Sequence, residues 1–249
     1  MNKRWEILPI DEKKQILLEK NLHISSSLAE ILTRKNLDEN SAKLFLNPTK
    51  IPYHDPFLLK DMEKACQRLL LALKNKEKIC IYGDYDVDGV SSTALLMTVF
   101  TKLGFNIDYY LPDRHSEGYG LHIESLQKLI PKYDLLITVD CGITALDEVD
   151  YAKDKIDMII TDHHLPREIL PDAFAIINPT QTQCNYPNKN LCGVGVAFKL
   201  CQGLYQSLNK DIHELENYLD IVALGTIADI VPLVDENRRI VKKGLANIQ

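Results

Sequence analysis

The chain has 249 residues, of which 45% are apolar and 26% charged, and a formal charge of −6; this excludes a disordered chain and fits one large α/β domain or a domain with an extension. A net negative chain has no general attraction for nucleic acid, so any polyanion must be met through metals or a local basic patch. The six cysteines (Cys66, Cys80, Cys141, Cys184, Cys192, Cys201) form no CxxC pair, and several lie in apolar runs, as reduced thiols of a cytoplasmic protein do; no signal-peptide core or membrane-length apolar run is visible.

From Trp5 to about Lys76 the apolar spacing predicts helices and no strand, so residues 1–75 read as a helical N-terminal extension. Asp38 is placed to cap NSAKLFL and Pro48 to end it; Pro52 and Pro56 mark an irregular crossing before the helix MEKACQRLLLALKNK. From residue 76 the style changes to short apolar runs alternating with amphipathic helices. KICIYGD is followed by VSSTALLMTVFTKLG, NIDYYLP by LHIESLQKLIPK and YDLLITVDCG by TALDEVDYAKD, and then come the strands IDMIITDHH and AFAIINP. This alternation predicts an α/β fold over residues 76–249, a mostly parallel sheet with helices on both faces. A polar loop, TQTQCNYPNKNLCG, leads to the helix VGVAFKLCQGLYQSL and a second helical run, ELENYLDIVALGTIADIV. The chain stops at RRIVKKGLANIQ without a closing signal, which reads as a truncation.

Sheets of this kind bind ligands beyond the carboxyl ends of their strands. There the first strand delivers Asp84, Asp86 and Asp88, the second Asp113, Arg114 and His115, the third Asp140, and the fourth Asp162, His163 and His164. In an extended or turn-like segment, aspartates two apart point to the same side and repel unless cations sit between them. Any one strand end could be a solvated turn; four converging on one rim point to a site. Asp229, in apolar surroundings, is a candidate final ligand, whereas Asp220 reads either as a helix-surface residue or as an acceptor for a histidine. Mixed carboxylate and imidazole donors suit Mn2+ better than an all-oxygen Mg2+ cage, with Mg2+, Zn2+ and Co2+ left open. The donor count suggests two ions bridged by Asp140, and such a pair hydrolyses phosphate esters or anhydrides. Arg114, His115 and His164 are placed to touch phosphate oxygens, Arg114 foremost through its bidentate fork, while His115 reads equally well as an exposed loop histidine. No GxGxxG, GxxxxGK[ST] or serine nucleophile elbow is present, and Ser91 and Ser92 read as helix caps.

In order and spacing, DYDVDG, LPDRHSEGYGL, VDCG, TDHH and ALGTIADIVPL resemble the DHH phosphoesterase superfamily and, within it, the RecJ single-strand-specific exonucleases. ILTRKNLDENSAKLFLNP and NYPNKNLCGVGVAFKL extend the likeness to nearly the whole chain. The resemblance implies that Asp86, Asp88, His163 and Asp229 are metal ligands and Asp140 the bridging one. It also implies that His164 is a ligand or phosphate contact and that Asp162 orients the histidine pair; Asp84 matches an extra acidic position of open role. Tyr82 stands where superfamily relatives place a histidine, implying one fewer imidazole. The implied activity is 5′ to 3′ degradation of single-stranded DNA with Mn2+ or Mg2+, in repair and recombination, with single-stranded DNA and repair proteins as partners and no membrane. Full-length exonucleases of this kind add a second lobe and an oligonucleotide-binding barrel whose motifs are not found here, so weak activity of this part alone is expected. A small-substrate hydrolase of the same superfamily and a non-catalytic repair scaffold are the alternatives; a scaffold could have shed the acidic set, which is intact.

Overall fold

Five short runs of apolar and β-branched residues pair into one sheet. They are β1 (Lys78–Tyr82), β2 (Asn106–Tyr110), β3 (Leu135–Val139), β4 (Asp157–Thr161) and β5 (Ala175–Ile177), in spatial order β2-β1-β3-β4-β5. Every pairing is parallel, so the mostly parallel sheet expected from the sequence is wholly so. Tyr82 pairs with Tyr110 and Thr138, Val139 with Thr161, and Thr161 with Ile177. The strands therefore end level and release their following residues on one rim, with β3 in the middle. This computed structural model describes residue 6 and residues 9–114 and 116–248. Trp5, where the helical reading began, and His115 lie outside the described residues.

Side chains alternate between the faces of a strand, and both faces are covered. Ile79, Ile81, Leu135, Ile137 and Ile159 join one apolar cluster with residues of α4 (Met62–Asn75), α5 (Val87–Leu103) and α8 (Gly193–Ser207). Cys80, Tyr82, Leu136, Met158 and Ile160 join another with residues of α6 (Ile123–Leu129) and α7 (Leu146–Ala152). The helical run expected after residue 213 is broken: a 3-10 segment (Ile212–Tyr218) precedes α9 (Leu219–Ala228). A helix not foreseen from the sequence, α10 (Asp235–Ile248), packs on α9.

The chain divides into two compact units, residues 1–51 and 52–249. In the first, α1 (Glu12–Leu22), α2 (Ser26–Arg34) and α3 (Glu39–Leu46) enclose Leu18, Ala29, Leu32 and Ala42. Asp11, Ser25 and Asp38 cap these helices by accepting the N–H groups of Lys14, Leu28 and Ser41. Helix α4, grouped by sequence with the extension to residue 75, belongs to the second unit, because Met62, Ala65, Leu69 and Ala72 bury a full face in the core shared with α8 and β5. Among the described residues no helix is long and apolar enough to cross a membrane.

Candidate metal centre

Of the extended or turn-like forms that the spacing allowed for the first acidic segment, neither runs through all three aspartates. Asp86 accepts the N–H of Gly89 at 2.9 Å and caps α5, so the helix begins between the aspartates and Asp88 lies in its first turn. Asp84 and Asp88 are buried and Asp86 is exposed. The Asp88 carboxylate reaches the start of α8, where it accepts the N–H of Gly193 at 2.5 Å and of Val194 at 2.8 Å. Those groups have no partner within their own helix, and the positive end of the helix dipole favours the anion.

Asp140 follows β3 with φ +61°, a left-handed conformation unusual for a residue with a side chain. Its N–H donates to Thr161 O at 3.0 Å, which keeps the turn on the rim. The carboxylate is buried, and its Oδ1 accepts no hydrogen bond: Nε2 of His163 is 3.1 Å away but not in hydrogen-bonding alignment. Close packing surrounds these carboxylates. A Cβ on Gly193 would lie 2.6 Å from Asp140 Oδ1, one on Gly225 2.8 Å from Asp88 Oδ1, and one on Gly89 2.7 Å from Asp84 Cβ.

The two histidines follow β4. Asp162, fully buried behind them, accepts the backbone N–H of His163 at 2.7 Å and of His164 at 3.1 Å, Nδ1 of His164 at 2.7 Å, and the N–H of Ile143 at 2.9 Å. Burial works against the ionised Asp162, but these hydrogen bonds, that from His164 first, hold its carboxyl below the usual range. Reciprocally, the bond to Asp162 pushes His164 up to about 9 against the cost of burial. Nε2 of His163 faces Asp140, Asp88 at 3.9 Å and Asp229 at 3.7 Å. Tyr119 places its hydroxyl 3.3 Å from His164 Nε2 and 3.4 Å from the carbonyl oxygen of Asp140.

Three overlapping groups result, Asp84–Asp86–Asp140, Asp88–His163–Asp229 and Asp140–His163–His164, each with its ligand atoms within 4.8 Å of one another. Burial, and then neighbouring carboxylates, raise Asp140 well above the usual carboxylate range, and burial likewise raises Asp84, Asp88 and Asp229. Oδ1 of Asp84 is, like that of Asp140, buried without a hydrogen-bond partner. The donor set therefore fits divalent cations: a positive charge between these oxygens removes both the repulsion and the desolvation cost.

The family model described as "DHH family, N-terminal domain" matches residues 78–226. The chain belongs to the DHH family. The single-stranded-DNA-specific exonuclease RecJ of Bacillus subtilis is 44% identical over 249 residues, covering 99% of this chain and 31% of that protein. The RecJ of Haemophilus influenzae is 42% identical over 229 residues, covering 88% of this chain and 38% of that protein. The crystal structure of RecJ in complex with Mn2+ from Thermus thermophilus superposes with a TM-score of 0.82 at 30% identity, covering 98% of this chain and 34% of that one. The chain thus spans about a third of the length of these relatives.

Within this DHH domain, the fold brings together Asp84, Asp86, Asp88, Asp140, His163, His164 and Asp229, with Asp162 directly behind the histidines. Asp220 stands apart. It lies in the first turn of α9 and Asp229 caps the other end, which separates them by about 13 Å at 1.5 Å per residue, and its carboxylate accepts the N–H of Ile221. Arg114 is exposed, its guanidinium 5.4 Å over the ring of Tyr85. Tyr82 turns to the opposite sheet face, where its hydroxyl donates to Gly120 O at 3.1 Å. Ser91 and Ser92 are buried inside α5 rather than at its cap. Sequence reasoning passed over Tyr119 and the close-packing glycines 89, 193 and 225; the signals were the glycines of the GYGL, DVDG, CGVG and ALGT strings.

Proposed function

We propose that this DHH domain is the catalytic core of a metal-dependent exonuclease that degrades single-stranded DNA from 5′ to 3′ in repair and recombination, in the cytoplasm. The observation that carries this reading is Asp140 Oδ1, buried and without a hydrogen bond where an all-carboxylate group and a group with two imidazoles meet. The names of the similar proteins supply the substrate class, and solved RecJ structures with Mn2+ and with Mg2+ supply the metals. Asp86, Asp88, His163 and Asp229 would hold two cations with Asp140 between them, and Asp84 would support the Asp86 side; Mn2+ suits the mixed donors, with Mg2+ as the second choice. Bound there, the metal pair supplies a nucleophilic hydroxide and neutralises the charge of the phosphate.

The protein's own residues position and exclude. Asp162 commits Nδ1 of His164 and so leaves Nε2 for a phosphate oxygen. Arg114, pre-oriented over Tyr85, offers a guanidinium fork to the strand's phosphates. Single-stranded DNA is the partner, with repair and recombination proteins alongside it.

The test is Mn2+-dependent release of nucleotides from a 5′-phosphorylated single strand, measured beside turnover of a dinucleotide and of pyrophosphate. The long strand is expected to be preferred and all turnover to vanish in Asp140→Ala. Preference for the small substrates, or activity surviving in Asp140→Ala, would overturn the reading.

A further inference from the structure

Two loops that carry parts of the centre meet at a residue outside it. Residues 229–234 run from Asp229 to α10, and the loop before Cys192 leads into the first turn of α8, whose N–H groups hold Asp88. Asn237, in the first turn of α10 and 1% exposed, lies between them. Its Nδ2 donates to Asn190 O at 2.6 Å and to Pro232 O at 3.1 Å, and its Oδ1 accepts from Asn188 Nδ2 at 3.1 Å. Asn188, itself buried, also accepts the N–H of Asn190 at 3.1 Å. Both N–H groups of the Asn237 amide and its oxygen are thus engaged with the two loops.

The post is rigid. Glu236, next to it, is fully buried, and its carboxylate is shared by Lys199 Nζ at 3.3 Å, the Tyr186 hydroxyl and the His54 N–H at 3.4 Å. The loop it holds is not relaxed by itself. Ile230, directly after Asp229, has φ +58° and Asp235 has φ +47°, a region that β-branched side chains resist. Ile230 is 88% exposed, so packing of its side chain does not impose that conformation.

We infer that Asn237 is a positioning residue of the metal centre, locking the loop of Asp229 to the loop that enters α8 so that Asp229 and Asp88 face His163 together. This rests on the metal reading above. Without the amide, the loop is free to leave its left-handed turn, and Asp229 loses its place 3.7 Å from His163; Asp140 and the residues after β1 are held by other contacts.

The test is a Mn2+ titration of the metal-free chain by calorimetry, with thermal melting in parallel. Wild type is expected to bind two ions, and Asn237→Ala to bind one unchanged and the other about 10–100-fold more weakly, the usual loss when a group supporting a ligand is removed. Leu69→Ala, a core truncation far along the chain from both loops, is expected to lower the melting temperature as much or more and to keep both affinities. Unchanged binding by Asn237→Ala, or equal weakening by Leu69→Ala, would overturn the inference. Should Asn237→Ala not fold, Asn188→Ala, which removes the donor to Asn237 Oδ1, carries the same two outcomes. A wild-type chain that binds no Mn2+ would instead overturn the metal reading beneath it.

Discussion

The two ends of the sheet handle charge in opposite ways. Where the strands begin, acids are paired with bases, Arg68 lying 2.6 Å from both Asp157 and Glu77 and Lys153 2.6 Å from Asp172, and Asp134 accepts the backbone N–H of Lys78 at 2.8 Å. Where the strands end, the carboxylates of Asp88, Asp140 and Asp229 converge on one imidazole, and the ion-pair partners of this rim among the described residues are His163 and His164. One end is neutralised by its own side chains and serves folding. The other keeps buried acids without enough bases to pair them, a cost that a folded protein keeps where function requires it.

The contrast breaks first at Asp140. Asp140→Asn is expected to cost about 10³-fold or more in activity, the scale on which loss of transition-state charge stabilisation is felt. The same change should stabilise the metal-free chain by about 1–3 kcal/mol near neutral pH, because the buried carboxyl must take up a proton on folding and the amide need not. The sign follows from linkage. The Asp140 carboxyl is raised above its unfolded value of 3.8, so its contribution to stability is present below that value and lost as pH rises toward its folded one. Melting of metal-free wild type and Asp140→Asn should therefore diverge as pH rises, and a variant that melts lower at pH 8 would contradict the contrast.

Asp162→Ala should weaken Mn2+ binding by about 10–100-fold, because the His164 ring and three backbone N–H groups lose their acceptor; titration calorimetry reads this directly. At the opposite end, Arg68→Ala should destabilise the chain by about 2–3 kcal/mol, since Arg68 is buried and leaves two acids without a partner. Denaturant unfolding measures that loss, and activity per folded molecule should stay at the wild-type level. The smallest effect is expected at Asp220. Asp220→Asn should stay within about 0.5 kcal/mol of wild type in stability and leave Mn2+ affinity unchanged in the same titration, as its place at the far end of α9 requires.

What the sequence discloses follows from the range of each interaction. The strands and their acidic ends were legible because an apolar run that stops at Asp84, Asp140 or Asp162 is a local pattern, and parallel pairing then aligns those ends. The capping role of Asp38 was legible for the same reason. The anchoring of Asp88 by Gly193 and Val194 was not, since 105 and 106 residues separate the partners. The left-handed turn at Asp140 was also hidden: aspartate adopts it only when its surroundings impose it, here the hydrogen bond to Thr161 and the contact with Gly193. Asp220 stayed open between two readings because an acid in an apolar helical run looks the same from sequence at either end of the helix. The spacing of Asp84, Asp86 and Asp88 misled because an aspartate that caps a helix changes the geometry of everything after it.

The strand order has a last consequence. After β1 the chain moves outward to β2, then returns past β1 to lay down β3 on its other side, with α5 covering one face and α6 the other. The connections leaving β1 and β3 therefore part in opposite directions, and a crevice opens between them at the rim. Asp84 and Asp86 stand on one lip and Asp140 on the other. The hollow is thus a product of chain routing and exists before any acid is placed in it. The acids can change during descent while the cleft persists, so lineages of this fold can exchange one reaction for another, or lose catalysis, without having to invent a new place for a ligand to bind.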